Sequence, residues 1–416
     1  MKSNQFKHSI LILAMLSSVG PGLKLHAAKA TGFVRVEQIE GRWWFIDGAG
    51  EKFISMGVNH IEPHLWLAPY NKQNTLERYG PDMVDASGRF NTDGMAARQW
   101  INRQVEICRD LHFNTFGKHI HPSIDATLYD DQIYYIASLG TAPSGLSGIQ
   151  PGEGPLPDIF SSDFKVHLHK RVEEVVNRHK NELNLLGYIY TDVPNWVIPK
   201  NAREKEGGDI MIYPWINSIL KLGVESPGKN TWISHLQARY AEPQEVAAAW
   251  GIATSPLYGI SWEKLVASTL WFSPVDKEAA QKDMVSFMGL IAEEWYKSHH
   301  DAIKNIDENH LILGDKNLVE AFEEFLIPSL KQYVDVVVTQ SHRRWADDEK
   351  TNDWIYEQIG KPILNGDGSF AYVHPRQAKL KVKGWWTKAG DVNEVAALYQ
   401  ETLAPRYLSI SYSHLS

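Results

Sequence analysis

Two aspartates in this chain stand where a two-carboxylate reaction would need them. Asp192 closes the run GYIYTD and Asp367 closes KPILNGD, each where an apolar segment gives way to a polar turn. Hydrolysis of a glycosidic bond takes such a pair. One carboxyl protonates the leaving oxygen, and the other attacks the sugar or activates water. The alternative for each aspartate is a local one: Asp192 caps the following turn, and Asp367 bonds the backbone amides of GDGS. Polar residues also close the other apolar runs. They are Asn59, His60 and Glu62; His119 and His121; Asp315 and Lys316; and Gln340 and His342. Loops are polar everywhere, so a single such residue says little. A ring of them converging on one opening says more, and we read them, with Trp196 added and Lys316 left unassigned, as the substrate-binding set.

A ring of strand ends requires strands that run the same way. After a short β-rich lead-in, FVRVEQIEGRWWFIDGAGEKF, short apolar runs alternate with amphipathic helical stretches. That alternation predicts a parallel sheet covered by helices. We count eight strands, at 53–60, 113–120, 133–139, 185–192, 310–315, 334–341, 361–367 and 407–413. The helix before the fourth opens at Ser161 or Ser162 as N-cap. The expected fold is an α/β (β/α)8 TIM barrel, with its site at the C-terminal strand ends. An open doubly wound sheet is the alternative, weakened because no glycine-rich phosphate loop follows the first strand. Strands four and seven lie on opposite sides of a small barrel, so Asp192 and Asp367 can face each other across it.

The stretch at about 195–274 is too long for an ordinary βα loop. We expect a helical insertion over the barrel mouth, with Trp196, Trp215 and Trp271 nearest a sugar. The chain ends almost where the eighth strand ends, so a final helix is missing and a truncated C-terminus is expected.

The 15 tryptophans are the outlier in an otherwise ordinary composition, and their flat faces suit both core packing and the C–H faces of sugars. A net charge of -8 argues against nucleic acid as a partner. The single Cys108 lies in an amphipathic stretch and reads as a buried structural thiol, and nothing points to a cofactor. Residues 1–30 have a basic start, an apolar stretch from Ile10 to Val19 and small residues at Ala27, Ala28 and Ala30. This is the layout of a secretory signal peptide. It predicts an exported mature chain, 31–416, that is periplasmic or extracellular and has no membrane partner.

Several of these segments resemble one family. GRWWFIDGAGEKFISMGVNHIEPH resembles the opening of agarase-like members of the clan A barrel glycosidases, and LGYIYTDVPNW resembles their fourth-strand motif. KPILNGDGSF resembles their seventh-strand motif, K-P-x-L-x-G-E-F. SHLQARYAEPQEVAAAWGIATSPLYGISWEKL resembles the helical insertion of family 42 galactosidases and family 50 agarases. The resemblance covers roughly 33–372 and implies a barrel that acts on a polysaccharide or oligosaccharide such as an agar-type galactan. The departures fall on the chemistry. The fourth strand of the clan ends in Asn-Glu, with Glu as acid/base, and here Pro194 takes the Glu position. Asp192 matches the preceding Asp of the family 50 motif. Asp367 replaces the seventh-strand Glu and is shorter by one methylene.

The expectation is therefore an exported glycoside hydrolase. Asp192 is the deeper carboxyl and the acid, and Asp367 is the base or nucleophile. Their separation should lie in the longer range that favours inversion. Two alternatives stand beside it. One is a glycan-binding barrel that has lost hydrolysis along with the acid/base Glu. The other is a metal hydrolase using the H-x-H of His119 and His121 with His60, His64 and His342. Histidines that hydrogen-bond sugar hydroxyls explain that pattern more simply, so no metal is assigned.

Overall fold

The computed structural model describes residues 29–141, 156–194, 196–197, 213–251, 259–267, 278–368, 391, 393–394 and 407–413. The signal-peptide segment, Trp271 and most of the segment after residue 368 lie outside the described residues.

The lead-in forms an antiparallel sheet of β1 (Arg35–Ile39), β2 (Arg42–Ile46) and β3 (Lys52–Phe53). The barrel strands are β4 (Ser55–Asn59), β5 (Thr115–Phe116), β6 (Tyr134–Ser138), β7 (Leu185–Asp192), β8 (Leu311–Leu318), β9 (Val337–Gln340), β10 (Ile363–Gly368) and β11 (Tyr407–Ser413). They pair in parallel and close in the order β10-β11-β4-β5-β6-β7-β8-β9. All eight segments read from the sequence are strands of this barrel, although the second is reduced to two paired residues.

Two apolar layers hold the barrel. Ile136, Leu186, Ile189, Leu311, Leu313, Val336, Val338 and Leu364 fill its interior, and Val34 and Phe45 of the lead-in join that cluster. The lead-in sheet thus plugs the end of the barrel opposite the strand ends that carry the polar ring. The outward side chains of the strands pack on the helices. These include α1 (Pro63–Trp66), α2 (Lys72–Tyr79), α3 (Met95–Asp110) and α4 (Ser162–His179). Helix α4 starts as its sequence suggests, with Ser161 Oγ accepting a hydrogen bond from the Phe164 N–H at 3.1 Å. Cys108 is buried on α3, and burial pushes its thiol up to about 12.

Between β7 and β8 the chain forms short helices α5 (Pro214–Leu220), α6 (Pro227–Gln237), α7 (Pro243–Trp250) and α8 (Trp262–Ala267), then the long α9 (Glu278–Lys304). Helix α7 begins with a capping box of Glu242 and Glu245 and ends at Gly251 in the left-handed conformation. Asp283 on α9 ties the excursion down. It accepts from Trp250 Nε1 at 2.8 Å and Tyr240 Oη at 2.7 Å, and pairs with Arg239 Nε at 2.9 Å. After β8 come α10 (Ile327–Tyr333) and α11 (Trp345–Ile359), which return the chain to β9 and β10. No helix among the described residues is long and apolar enough to cross a membrane.

One irregularity decides what faces the mouth. In β8, Leu311 and Leu313 point into the barrel while Ile312 packs outward. Strict alternation would then turn Asp315 inward. Gly314 breaks the alternation with a φ of +65°, and the pairing with β7 shifts register there. A Cβ at Gly314 would sit 2.8 Å from Val334 Cγ1 and 3.2 Å from Tyr296 Cε1, on the outer side. Residues 314 and 315 therefore both face out, and Lys316 turns in. Gly314→Ala should cost about 1–3 kcal/mol through left-handed strain and collision. Urea denaturation of the variant measures it, and a loss under half a kcal/mol would mean that the bulge tolerates a side chain.

Candidate active site

The mouth is organised around the ammonium of Lys316, on a side chain that is almost fully buried. Its Nζ lies 2.8 Å from Asp192 Oδ1 and 3.0 Å from Asp367 Oδ2. It donates to Asp367 Oδ2 and, at 2.8 Å, to Nε2 of His119. Asp192 comes from the end of β7, Asp367 from β10, and Lys316 from β8. The stem of Lys316 needs room, and Gly366 supplies it: a Cβ there would stand 3.3 Å from Lys316 Cδ and 2.5 Å from Val338 Cγ1.

The two aspartates meet across the mouth, as their strand positions imply, but not in the expected arrangement. Their nearest oxygens are separated by no more than the sum of the two distances to Nζ, 2.8 and 3.0 Å. A single ammonium therefore bridges one oxygen of each carboxyl. The expected order of depth is corrected: the Asp192 side chain is 31% exposed and that of Asp367 only 6%.

Electrostatics removes the assignment of Asp192 as a resting acid. Burial acts to raise its carboxyl, but the ammonium groups of Lys316 and Lys118 outweigh burial and hold it well below the usual carboxylate range. Lys118 Nζ stands 3.6 Å from Asp192 Oδ2. Asp367 behaves alike: burial raises it, and Lys316 chiefly overcomes this and lowers it. Both carboxylates are ionised at neutral pH. His119 is pushed down to about 3, first by burial and then by Lys316 and Lys118, so its ring is neutral and its Nε2 accepts from Lys316.

The remaining residues sort by position. His60 stacks flat on His119, with ring centroids 4.7 Å apart, and has a φ of +60°. Glu62 holds His60 Nδ1 at 2.8 Å and His64 Nε2 at 3.2 Å. His121 sits further out, bonded to Ser123 Oγ at 2.6 Å and tilted against His64. Asn59 is a brace beneath the site: its Nδ2 donates to the Gly366 carbonyl and its Oδ1 accepts from the His119 N–H. Gln340 pairs in register with Asp367 and contacts His342 Nε2 at 2.8 Å. Buried Oδ1 of Asp367 and Oε1 of Gln340 have no hydrogen-bond partner among the described residues. Acceptors left open beside a mouth suit a ligand rich in hydroxyl groups.

Three residues expected at the mouth lie away from it. Asp315 is fully buried on the outer side of β8, where Oδ2 accepts from Trp295 Nε1 at 2.9 Å. Burial pushes its carboxyl up to about 7, against the hydrogen bonds of Tyr296 and Trp295. Trp196 is 3% exposed and packs among Trp215, Trp295, Tyr296 and Phe325, so it fastens the excursion to α9 and offers no face to a sugar. Trp215 is buried in the same cluster. Lys118, by contrast, is a site residue that the strand-end reading passed over. It precedes His119 in KHIH, and a lysine beside an H-x-H at a strand end was its only signal.

Ligand atoms of His60, His119 and Asp367 come within 4.8 Å of one another, compact enough for a metal ion. Lys316 already bonds two of the three, and Lys118 stands beside them. A dication there would meet two positive charges, so we read the group as a lysine-centred polar cluster.

Removing the central ammonium should be severe. Lys316→Met leaves two like charges facing each other, one of them buried, and should lose about 3 kcal/mol at pH 7. The carboxyls have depressed values in the folded chain, so their contribution is present above the unfolded value, about 3.9 for Asp, and fades as pH falls through the folded values. The deficit of the variant should therefore be largest at neutral pH and shrink below about pH 4. Chemical denaturation across pH reads this, and a deficit constant down to pH 3 would contradict it.

No family model matches the chain. It is 22% identical over 401 residues to beta-agarase B of Vibrio sp. (strain JT0107), covering 82% of this chain and 39% of that protein. It is 24% identical over 395 residues to beta-agarase A of the same strain, covering 82% and 37%. The chain thus spans less than two fifths of these relatives. The solved structure of an exo-beta-agarase superposes with a TM-score of 0.73 at 18% identity, over 93% of this chain and 60% of that one. An agarase crystal structure gives 0.71 at 17% identity, over 95% and 60%. A beta-galactosidase from Bacillus circulans sp. alkalophilus gives 0.53 at 10%, over 86% and 50%. The chain is agarase-like: similar in sequence to beta-agarases over four fifths of its length, and built on the same (β/α) barrel as the solved agarases.

Proposed function

We propose that the chain is a glycoside hydrolase acting on an agar-type galactan, with Asp192 and Asp367 on either side of the scissile bond. The observation that carries this reading is the meeting of two ionised carboxylates, from β7 and β10, at one point of the barrel mouth. Asp367 stands at the seventh-strand position where the resembling family has its Glu. It is the nucleophile, and a carboxylate that attacks the sugar carbon gives retention. Asp192, ionised and more exposed, stabilises positive charge on the sugar ring. Lys316 must give way as the sugar enters, and sugar hydroxyls then donate to the open oxygens of Asp367 and Gln340. The similarity to beta-agarases supports a galactan as substrate.

A second reading is supported by a specific observation. Pro194 occupies the usual acid/base position, and neither aspartate of the resting site holds a proton to give. A barrel that binds galactan without cutting it would look the same.

Incubation with agarose and its oligosaccharides distinguishes the two. Hydrolysis should release reducing ends, and Asp367→Asn and Asp192→Asn should each lower the rate by roughly a hundredfold or more. The first-formed product should keep the anomeric configuration of the substrate when followed by NMR. Calorimetric binding without any new reducing ends would replace the hydrolase reading with the binding one. We also propose that the chain is exported by its first 30 residues, since a polysaccharide lies outside the cytoplasm. Deletion of 1–30 should retain the protein inside the cell, and an exported form that still begins at Met1 would refute it.

A further inference from the structure

We propose that Lys118 is the proton donor to the leaving oxygen, in place of the acid/base residue that Pro194 displaces. The inference rests on the hydrolase reading and names the group which that reading leaves unassigned.

Position is the first argument. The Lys118 side chain is only 9% exposed and its Nζ lies 3.6 Å from Asp192 Oδ2, so it stands at the mouth on the Asp192 side. It also lines a cavity of about 530 Å³ together with His121, Ser138, Gly140 and Arg171. On the β4 side, a separate cavity of about 490 Å³ is lined by Asn59, His60, Glu62, Trp66 and Tyr70. Lys118 thus joins Asp192, 3.6 Å away, to the first of these cavities. A glycan reaching from Asp192 toward that cavity would carry its leaving portion past the ammonium.

Elimination is the second argument. Asp192 and Asp367 are ionised, and His119 is neutral with its Nε2 already accepting from Lys316. Lys316 is shared among three partners at the centre of the pair. Lys118 faces Asp192 from β7, Lys316 from β8 and Asp367 from β10. Burial, the largest influence, lowers its ammonium to about 8; Asp192 opposes this and Lys316 adds to it. A group that is protonated at pH 7 yet loses its proton one unit higher is well matched to general acid catalysis.

The step balances. The Nζ proton of Lys118 passes to the glycosidic oxygen as the bond from C1 to that oxygen breaks, and the bonding pair stays on the oxygen. Asp367 supplies a pair to C1 and forms an ester. Water then attacks C1, the ester bond breaks, and the water proton returns to Nζ.

A poor and a good leaving group separate this role from a structural one. The substrates are an agarose oligosaccharide and the dinitrophenyl glycoside of the same oligosaccharide, whose phenolate leaves without a proton. Lys118→Met should slow the oligosaccharide about a hundredfold and leave release of dinitrophenolate within a fewfold of the native chain. The fall in kcat/KM near pH 8 should disappear with it. Lys118→Arg, which keeps the charge but gives up no proton in this range, should behave like Lys118→Met. Equal slowing of both substrates, or recovery in Lys118→Arg, would overturn the donor role while leaving the hydrolase reading in place. A native chain that cleaves neither substrate would remove both.

Discussion

The buried ammonium of Lys316 is the constraint on which the mouth of this barrel depends. Two carboxylates brought together in a poorly hydrated place repel each other, and one of them would normally take up a proton. Here a cation lies between them, and both remain charged. The arrangement holds only if Lys316 reaches the centre from the strand wall. That in turn requires the bulge at Gly314 to turn it inward and the missing side chain at Gly366 to make room for its stem. Three strands and two glycines are committed to placing one nitrogen atom.

The same bulge accounts for what could and could not be read from the sequence. The eight strands were legible because each is a short apolar run between turn residues or helices, and barrel interiors select such runs. A helix start was legible where a side chain caps it, as at Ser161. Facing was not. Asp315 and Lys316 are neighbours at one strand end, and period-two reasoning alone chooses the wrong one. A glycine inside a strand run, Gly314 just before the polar pair, was the available warning. Asp315 consequently lies in the outer layer with Trp295, where its role is to hold β8 against α9.

The aromatic residues mislead in a related way. Tryptophan next to a strand end suits a sugar, but it equally suits the joint between an excursion and the helix that carries it back. Trp196 and Trp215 do the second, stacking with one another and against Trp295. Depth of the carboxyls was illegible for a different reason. It depends on where each strand stops within the closed barrel, and β7 carries Asp192 to its last residue while β10 runs one residue beyond Asp367. That the two aspartates meet was legible because it needs only strand identity. Which lies deeper and whether both are ionised was not, because that needs strand ends and the neighbouring lysines.

The residues that depart from the resembling family form a consistent set. An aspartate at 367 is one methylene shorter than the usual glutamate, which keeps its carboxylate close to the strand wall from which Lys316 extends. Pro194 stands where the resembling family has its acid, two residues after Asp192, which Lys118 approaches. The backbone turns sharply between Asp192 and Pro194: Val193 has a φ of +36°, unusual for a β-branched residue and disfavoured again by the proline that follows. Strain of that kind persists only where its surroundings hold it. What holds it here is Asp192, fixed by contacts to Lys316 and Lys118 one residue earlier. Within the quartet of Asp192, Asp367, Lys316 and Lys118 the charges cancel, and Glu62 stands outside it against His60. A glutamate at 194 would add a negative charge next to this quartet. On the proposal that Lys118 is the proton donor, the proline and the lysine go together: the lysine supplies the proton that a proline at 194 cannot give.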